Sequence, residues 1–523
     1  MSWRKSLAWA LIAVFTAASL SGCKADEPAA SGESRPAAST AASSVTVPGS
    51  EGSDVSGESS LPPESDVSQG EGSKNPSSGS TTSRQSTTTT RRNNQPTQPP
   101  VASKPGDSFT NTKKVFKENV VNLQGATIKI ASPWNEWRQT SGCPPYQVAA
   151  AKALQKIGED YNCKVEALVV DSSKLTQNIA LSYSAGKVYA DIIESQGSPY
   201  TLTNYMEDVS KVSTLGLKTN DWDEFIGDTA TFKNVQYGVG FMMTQNLAIS
   251  QQVMVFNKKL ADQYGVGDLY QKVRDGNWDY NAFEAASKTV HQKSGGKVKG
   301  LLQQIGTSMN TLIYTNNVNP IGKDSNGYFF DYNNSNMLAA LNFWSDYCKN
   351  GYMYEHDSTD YGASAAKLFM QRKSLFMLTD YIGTSTWFNP SMEDAYGVLP
   401  LPKGPNASGY TTVSQTKYFM LTKGNPRIEA AGRVLVAMAN RTGWDMNEWD
   451  AVQLETALRD EESLEMMKII TNSNQISPEK VEMGLTSVFT TTVKSIIHEQ
   501  KSAAQLLQQI KGSQNASILE VYK

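Results

Sequence analysis

The feature that most constrains the fold of this chain is an alternation of strand and helix patterns between residues 126 and 194. Short runs rich in β-branched residues predict three strands, with two stretches of helical periodicity between them, in the order 126–131, 145–161, 165–170, 175–185 and 189–194. Strands that alternate with helices are typical of a parallel sheet whose faces are covered by helices. We therefore expect an α/β body to begin near residue 121.

Aromatic and polar side chains follow two of the predicted strands. Trp134, Glu136 and Trp137 come after the first strand, and Gln196 and Tyr200 come after the third. Open α/β sheets bind ligands at the carboxyl ends of their strands. Rings can cover the apolar faces of a small ligand, and polar side chains can satisfy its hydrogen-bonding groups. We predict these five residues as ligand contacts; the alternative is that each aromatic ring packs in a core.

Residues 236–265 are predicted to connect this body to a second one. Gly238 and Gly240 suit a point where an extended chain bends without a steric cost at Cβ. Val253–Phe256 predicts a buried strand, and Asn257 is placed to cap the helix that follows. This order predicts a crossing between two lobes, with the functional site in the cleft between them.

The second body is expected to be more helical. Asp279 is placed to cap a helix, and residues 336–349 have the periodicity of an amphipathic helix. A predicted strand at 374–378 leads into three further ligand-binding candidates, which are Asp380, Tyr381 and Trp387.

The first 22 residues have the pattern of a signal peptide. Arg4 and Lys5 precede an apolar run at 7–20, which is shorter than the roughly 20 residues that a membrane-spanning helix needs. The run ends in Leu-Ser-Gly-Cys, which resembles the lipobox of bacterial lipoproteins. The resemblance implies that Cys23 is lipidated and anchors the chain to the outer face of a cell membrane; the alternative is an ordinary signal peptide cleaved near the same place.

Residues 23–120 are predicted to form a disordered tether. Up to about residue 107 the segment consists largely of Ser, Thr, Pro, Gly and Ala, so burial of side chains cannot offset the entropy of ordering it. A tether of this length suits a protein that stands off a membrane inside a thick cell wall. This favours a Gram-positive source.

The charge and the metal-ligating residues exclude several functions. The chain has 48 Lys and Arg against 51 Asp and Glu, without a basic block, so we expect no nucleic-acid partner. Its three histidines are widely spaced, and no Cys-x-x-Cys occurs, so we predict no metal or other cofactor. Cys143, Cys163 and Cys348 are predicted to be buried thiols; a Cys143–Cys163 disulfide is the alternative.

The order of these pieces resembles the family 1 extracellular solute-binding proteins, the sugar-capturing subunits of ABC importers. The resemblance covers roughly residue 123 to the end and rests on Tyr237-Gly-Val before Val-Phe-Asn-Lys, Asn277-Trp278, Leu338-Ala-Ala-Leu-Asn-Phe-Trp, and Tyr396-Gly-Val-Leu-Pro-Leu-Pro. Two departures lie near the expected cleft. Gly240 stands where members often carry proline, and the stretch 410–416 replaces a run that is usually rich in glycine.

The resemblance implies an α/β, two-lobed, periplasmic-binding-protein-like fold of type II with a hinge and an interlobe cleft. Lobe 1 would comprise 121–240 and 396–445, and lobe 2 would comprise 241–395 and 446–523. The implied protein is not an enzyme: it captures a carbohydrate, with an oligosaccharide favoured, by hinge closure, and delivers it to an ABC permease. We expect a monomer.

The alternative function is a wall-associated carbohydrate-active enzyme or adhesin on the same tether. Ser364-Ala-Ala-Lys367 matches the Ser-x-x-Lys motif of penicillin-binding enzymes. No Ser-x-Asn motif lies between it and Arg441-Thr-Gly443, which weakly resembles the Lys-Thr-Gly motif of those enzymes, so this match carries little weight.

Overall fold

A computed structural model describes residues 115–523 except 142, 144, 198, 242–248, 305–308, 357–362 and 444–453. The predicted signal peptide, Cys23 and most of the predicted tether therefore lie outside the described residues. Among the helices that the structure describes, none has the length and apolarity needed to cross a membrane.

The N-terminal part of the described chain alternates strands with helices, as predicted. Its elements are β1 Ala126–Ser132, α1 Pro145–Asp160, β2 Cys163–Val169, α2 Ser172–Ser184, β3 Ile192–Gln196, α3 Glu224–Thr229, β4 Thr231–Phe232, β5 Val235–Gln236 and β6 Gly238–Val239. β1 pairs in parallel with both β2 and β3. The third strand begins later than predicted, because the Asp191 carboxylate before it accepts hydrogen bonds from Lys129 N and Arg427 Nε, at 2.8 and 3.1 Å.

The middle of the chain is richer in helix. Its elements are β7 Ile249–Asn257, α4 Lys258–Tyr264, α5 Leu269–Arg274, α6 Tyr280–Lys293, β8 Lys299–Gln304, α7 Met309–Tyr314, β9 Ile321–Asp324, β10 Gly327–Phe330, α8 Ser335–Lys349, β11 Met353–His356, α9 Ala363–Met370, β12 Ser374–Asp380 and β13 Tyr396–Leu399. Between β12 and β13 the chain is helical over 381–391, with a π-helical centre at Thr384–Phe388.

The C-terminal part returns to the sheet and then ends in helices. Its elements are β14 Thr411–Leu421, α10 Ile428–Thr442, α11 Glu461–Thr471, β15 Asn474–Ile476, α12 Pro478–Val481, α13 Ser487–His498 and α14 Ala503–Tyr522.

Two long strands, β7 and β14, connect the two halves of the sheet. Across the described residues the strand order is β11-β8-β12-β7-β14-β3-β1-β2, with β13 beside β7 and with β6 and β15 beside β14. The first half of β14 pairs with β7, where Ser414 lies opposite Gln251. The second half pairs with β3, where Lys417 lies opposite Gln196. We call β7 and β14 the crossing strands.

Each half of the sheet has its own apolar cores. The cores of the first half draw on residues 116–241 and 418–439. Those of the second half draw on residues 253–413 and 457–518, and include the fully buried Trp278 and Trp344. The predicted α/β organisation is therefore confirmed, with one set of cores on either side of the crossing strands.

The division of the chain between the lobes can be placed more closely from β13. This strand pairs with β7, and Tyr396 and Val398 pack with Val255 in a core of the second lobe. The sequence had assigned 396–445 to the first lobe. We propose a boundary within β14, near residue 414, since Tyr418 is the first residue of that strand to enter a first-lobe core.

Several local predictions can be compared directly with the structure. The side chains of Asn257 and Asp279 each cap a helix, accepting hydrogen bonds of 2.9 Å from Leu260 N and Ala282 N, so both predicted caps are confirmed. Gly240 is required by space rather than by a bend, because a Cβ there would lie 2.3 Å from Cγ2 of Ile226.

Cys143, Cys163 and Cys348 form no disulfide with one another. Cys143, Cys163 and Cys348 are each half-buried. Of the two arrangements considered for Cys143 and Cys163, the structure has separate thiols rather than a disulfide.

Candidate ligand-binding cleft

The loop after β1 meets one lysine of a crossing strand. The Lys417 ammonium lies 4.0 Å from the ring centroid of Trp134. The same ammonium pairs with the carboxylate of Glu136, which is buried. Because Gln196 lies opposite Lys417 in the ladder, the structure brings Trp134, Glu136 and Gln196 together around this lysine.

Trp137 turns away from this group and into the core. Its side chain is 2% exposed, its ring edge packs on Phe419 at 5.9 Å, and its Nε1 donates a hydrogen bond of 2.8 Å to Glu194 Oε2. Burial raises the pKa of Glu194 to about 7; the Glu136 carboxylate adds to the shift and Lys417 opposes it. Trp137 therefore holds a buried carboxyl group in place.

Gln196, the last residue of β3, and Tyr200, which follows that strand, face different parts of the protein. Gln196 is exposed, and its Nε2 donates to Oε1 of Gln415 on β14 at 3.3 Å. Tyr200 is half-buried, and its ring lies 6.3 Å from that of Phe232 on β4. Gln196 thus faces a crossing strand, whereas Tyr200 packs against the β4–β5 hairpin.

The three second-lobe candidates lie at the end of β12 and just after it. Asp380 ends the strand and caps the helical segment 381–391, accepting a hydrogen bond of 2.9 Å from Gly383 N. Tyr381 is 5% exposed and packs in a core of this lobe. Trp387 is half-buried in the π-helical centre of the segment. π-Helical turns are frequent at functional sites because they displace side chains from regular helical positions.

Four neighbouring strands link the candidates of one lobe to those of the other. Gln196 on β3 lies opposite Lys417 on β14, and further along β14 pairs with β7. On β7, Gln252 lies opposite Asp380 of β12. Neighbouring strands lie about 4.8 Å apart, so three spacings separate Gln196 from Asp380 by about 14 Å across the strands. We call this arrangement the four-strand ribbon.

A polar recess of about 150 Å³ lies beside the ribbon. It is lined by Gln252, Asn310, Thr311, Val413, Gln415, Pro478, Glu482 and Thr490. Asn310 Nδ2 donates to Glu482 Oε1 at 3.0 Å and to Thr490 Oγ1 at 3.2 Å. Burial raises the pKa of Glu482, and hydrogen bonds from Tyr314 and Asn310 oppose the shift. The recess can hold a small hydroxylated group among amide, hydroxyl and carboxyl side chains.

A larger depression of about 670 Å³ lies elsewhere, along the edge strand β2 and α1. Of the predicted ligand residues, it includes Trp137, whose indole N–H is already bound to Glu194. We place the candidate site at the ribbon, because its neighbouring strands carry candidate side chains of both lobes.

Four residues of this region were not predicted from the sequence as part of the site. They are Glu194, Gln252, Gln415 and Lys417. A charged residue directly after Ile192 and Ile193 in a predicted buried strand was the available signal for Glu194. Lys417 carried no such signal, because its partner Glu136 lies 281 residues away.

A family model described as bacterial extracellular solute-binding protein matches residues 145–443, more than half of the chain. The chain belongs to this family. The predicted family and the prediction of a receptor rather than an enzyme are thereby confirmed for this solute-binding protein of an ABC importer. The match gives no support to the enzyme or adhesin alternative. A search among curated proteins found no match.

Solved structures show the fold of this solute-binding protein. The sugar-binding protein MalE from Xanthomonas citri has a TM-score of 0.59 at 12% identity, covering 75% of this chain and 98% of that one. The GacH receptor of Streptomyces glaucescens, studied unliganded and with acarbose, scores 0.55 at 11% identity and covers 76% and 100%. UgpB from Mycobacterium tuberculosis, in complex with glycerophosphocholine, scores 0.55 at 13% identity and covers 75% and 98%. The predicted two-lobed fold of type II is confirmed.

Proposed function

We propose that this solute-binding protein captures a carbohydrate, an oligosaccharide in particular, in the cleft between its lobes and passes it to an ABC permease. The four-strand ribbon carries the proposal, because it sets polar and aromatic side chains of both lobes on either side of the crossing strands. MalE and GacH, which share the fold, are respectively named a sugar-binding protein and described with acarbose.

Among the predicted residues we assign direct ligand contact to five. Each of them is half-buried or exposed, or has a polar atom that can accept a further hydrogen bond. Trp134 and Trp387 would cover the apolar faces of a sugar ring, and Gln196 and Asp380 would bind its hydroxyls. Glu136 joins them because its Oε2 is buried without a hydrogen-bond partner among the described residues. Trp137 and Tyr381 would act by packing because their rings are buried, and Tyr200 because its ring faces Phe232; Trp387 also packs against a second-lobe core but stays half-buried.

Capture would follow from closure about the crossing strands. A ligand that touches both lobes binds the closed arrangement more tightly than the open one. The difference between the two binding free energies is the amount by which the ligand favours closure. β7 pairs with β12 and β13 in the second half and with β14, which continues into the first half beside β3, so bending near residues 250 and 415 would change the angle between the lobes.

The cellular location of the protein is proposed from its sequence. Lipidation of Cys23 would hold a monomer on the outer face of a cell membrane, in a Gram-positive source, with residues 24–114 between the anchor and the folded body. Two acyl chains suffice for stable anchoring, since each buried CH₂ contributes about 0.8 kcal/mol. Mass spectrometry of the membrane-extracted protein would show the lipid on an N-terminal Cys23; an unmodified N-terminus would exclude it.

A ligand screen tests the proposed function. The full chain is melted in the presence of mono- and oligosaccharides, with peptides, polyamines and glycerophosphodiesters as competing classes. A ligand at 100 times its Kd stabilises the folded state by about 2.7 kcal/mol, which is easily detected. A melting shift with an oligosaccharide, without any cleaved product on chromatography, supports the receptor. Shifts confined to another ligand class, or release of product, would refute the carbohydrate receptor.

A further inference from the structure

The two lobes also touch each other away from the ladder of the crossing strands. On the first lobe the contact is made by Asp228 at the end of α3 and by Phe232 on β4. On the second lobe it is made by Lys480 of α12 and Tyr522, the last residue of α14, with Tyr328 of β10 behind it. We call these five residues the edge contact.

One half of the edge contact is an ion pair. The Lys480 ammonium donates to the backbone carbonyl oxygen of Asp228 at 3.0 Å and also pairs with its carboxylate. The Lys480 side chain is 35% exposed and that of Asp228 is 63% exposed, so water screens the attraction. Such a pair favours one orientation of the lobes without locking it.

The other half is a row of aromatic rings. The Phe232 ring lies 6.0 Å from that of Tyr522, which stacks on Tyr328 at 4.1 Å. Tyr200 extends the row within the first lobe, at 6.3 Å from Phe232. Lys233 and Lys323 lie over the Phe232 and Tyr328 rings, at 5.2 and 4.8 Å. The row therefore runs from the loop after β3, across the gap between the lobes, to the C-terminal helix.

We propose that the edge contact is a latch that sets the resting angle between the lobes and thereby tunes how readily the cleft closes. A contact outside the hinge that exists in one orientation lowers the free energy of that orientation relative to the others. The apparent Kd of a ligand depends on the population of the binding-competent orientation, so a change at the latch changes affinity without touching the ligand. For its effect on affinity, the inference rests on the proposed function; for the lobe angle, it does not.

The test compares latch variants with matched controls inside the first lobe. Lys480→Gln and Tyr522→Ala, alone and combined, remove the ion pair and the ring contact. Lys156→Gln removes an ion pair with Asp160, and Tyr183→Ala removes a ring pair with Tyr205 at 5.5 Å; both controls lie within one lobe.

The angle is measured as a distance between spin labels in the full chain without ligand, in a background whose four cysteines are replaced by serine. The labels replace Leu181 on α2, which is 62% exposed, and Asn350 after α8, which is also exposed. We expect the combined latch variant to displace the distance distribution, and both controls to superimpose on the parent. Superposition of the combined variant on the parent would overturn the proposal.

A charge exchange separates the latch from general loss of structure. Asp228→Lys places two lysines in opposition and is expected to displace the distribution, whereas adding Lys480→Asp restores the pair and the parent distribution. Failure of the exchange to restore it would count against the latch. With an oligosaccharide from the screen, the apparent Kd is expected to change two- to tenfold in the displaced variants. If no carbohydrate binds, the proposed function fails. The distances between the spin labels still show whether the edge contact sets the angle between the lobes.

Discussion

The indole Nε1 of Trp137 donates a hydrogen bond to Oε2 of Glu194, and both side chains are withdrawn from solvent. Three residues earlier in the same loop, the ring of Trp134 is half-buried beside the Lys417 ammonium. Two tryptophans that the sequence presents as equivalent therefore have different tasks. One supports a buried carboxyl group, and the other is the one that we propose contacts the ligand.

Glu194 makes the stability of the protein depend on pH. Its folded pKa of about 7 lies above the ordinary value of 4.5, so between these values the folded state holds a proton that the unfolded state has released. Stability contributed by this group is therefore lost as the pH rises through that window. We expect the melting temperature of Glu194→Gln to exceed that of the wild type by an amount that grows as the pH is raised from about 5 to about 8. For Glu159→Gln, at an exposed position, the difference in melting temperature from the wild type should stay constant with pH. A constant difference for Glu194→Gln as well would refute the raised pKa of Glu194.

Ligand affinity should depend on Trp134 and Trp387. Truncating a stacking tryptophan to alanine is expected to cost about 2 kcal/mol or more, which is roughly a 30-fold weaker Kd. Calorimetric titration with the oligosaccharide from the screen measures this loss. Tyr183→Ala, on the outer face of α2, should bind as the wild type does. Unchanged affinity in both tryptophan variants would mean that the site lies elsewhere.

Trp137→Phe separates support from contact. The variant keeps an aromatic ring but removes the N–H that binds Glu194, so the carboxyl group loses a buried partner. We expect the free energy of unfolding to fall by about 1–3 kcal/mol, with Kd changed much less than in Trp134→Ala. Urea unfolding and titration of the same preparation provide both numbers. A loss of affinity without a loss of stability would show that Trp137 contacts the ligand directly.

Gly240 is expected to tolerate no side chain while Ile226 is present. A Cβ at Gly240 would lie within 2.8 Å of three atoms of Ile226, so Gly240→Ala should cost about 1–3 kcal/mol of stability. Adding Ile226→Val removes one of the three contacts, and the double variant should be less unstable than the sum of the single ones. Gly409→Ala, where nothing lies within 4 Å, serves as the control in urea unfolding. Additive losses would argue against the clash.

Asp394 joins several parts of the second lobe. Its carboxylate accepts hydrogen bonds from Arg372 Nε at 2.6 Å and Asn257 Nδ2 at 3.0 Å, and the Arg372 hydrogen bonds contribute most to holding its pKa well below the usual range. Stability from this group is therefore present above the unfolded pKa, near 3.8, and is lost as the pH falls. Asp394→Asn should cost about 2 kcal/mol at neutral pH.

Urea unfolding over a pH series checks this prediction. The difference between wild type and Asp394→Asn should shrink as the pH falls below about 4, because the wild-type carboxylate then takes up a proton. Asp275→Asn, at an exposed helix end, is the control. A difference that stays constant with pH would contradict the role of the charge.

The sequence predicted best what depends on near neighbours. Asn257 and Asp279 cap helices whose first turns directly follow them, so a few residues contain the whole signal. The alternation of strands and helices up to residue 196 is likewise local, and its order is confirmed. Residues 189–191 were wrongly predicted as the start of the third strand, because the Asp191 carboxylate accepts a hydrogen bond from Arg427, far along the chain.

What could not be predicted depends on distant contacts. Lys417 decides the environment of Trp134 and Glu136, yet it reaches them only because β14 returns to the first lobe. The division between Trp134 and Trp137 follows from the positions of Glu194 and Phe419, which no spacing within the loop encodes. The ligand roles of the predicted residues stay predictions for the same reason.

The position of β14 has a consequence for the order of folding. In the first-lobe sheet it lies between β3 and β6, with Leu421 opposite Ile192 and Phe419 opposite Val239. The other strands that the structure describes in that sheet precede residue 240, so a chain emerging from a translocation pore with its N-terminus first must keep the sheet incomplete until residue 421 has emerged. The part that is made first is thus completed late, and its apolar strands need protection from aggregation during that delay. A chain truncated before residue 411 should accordingly expose β3 to proteases.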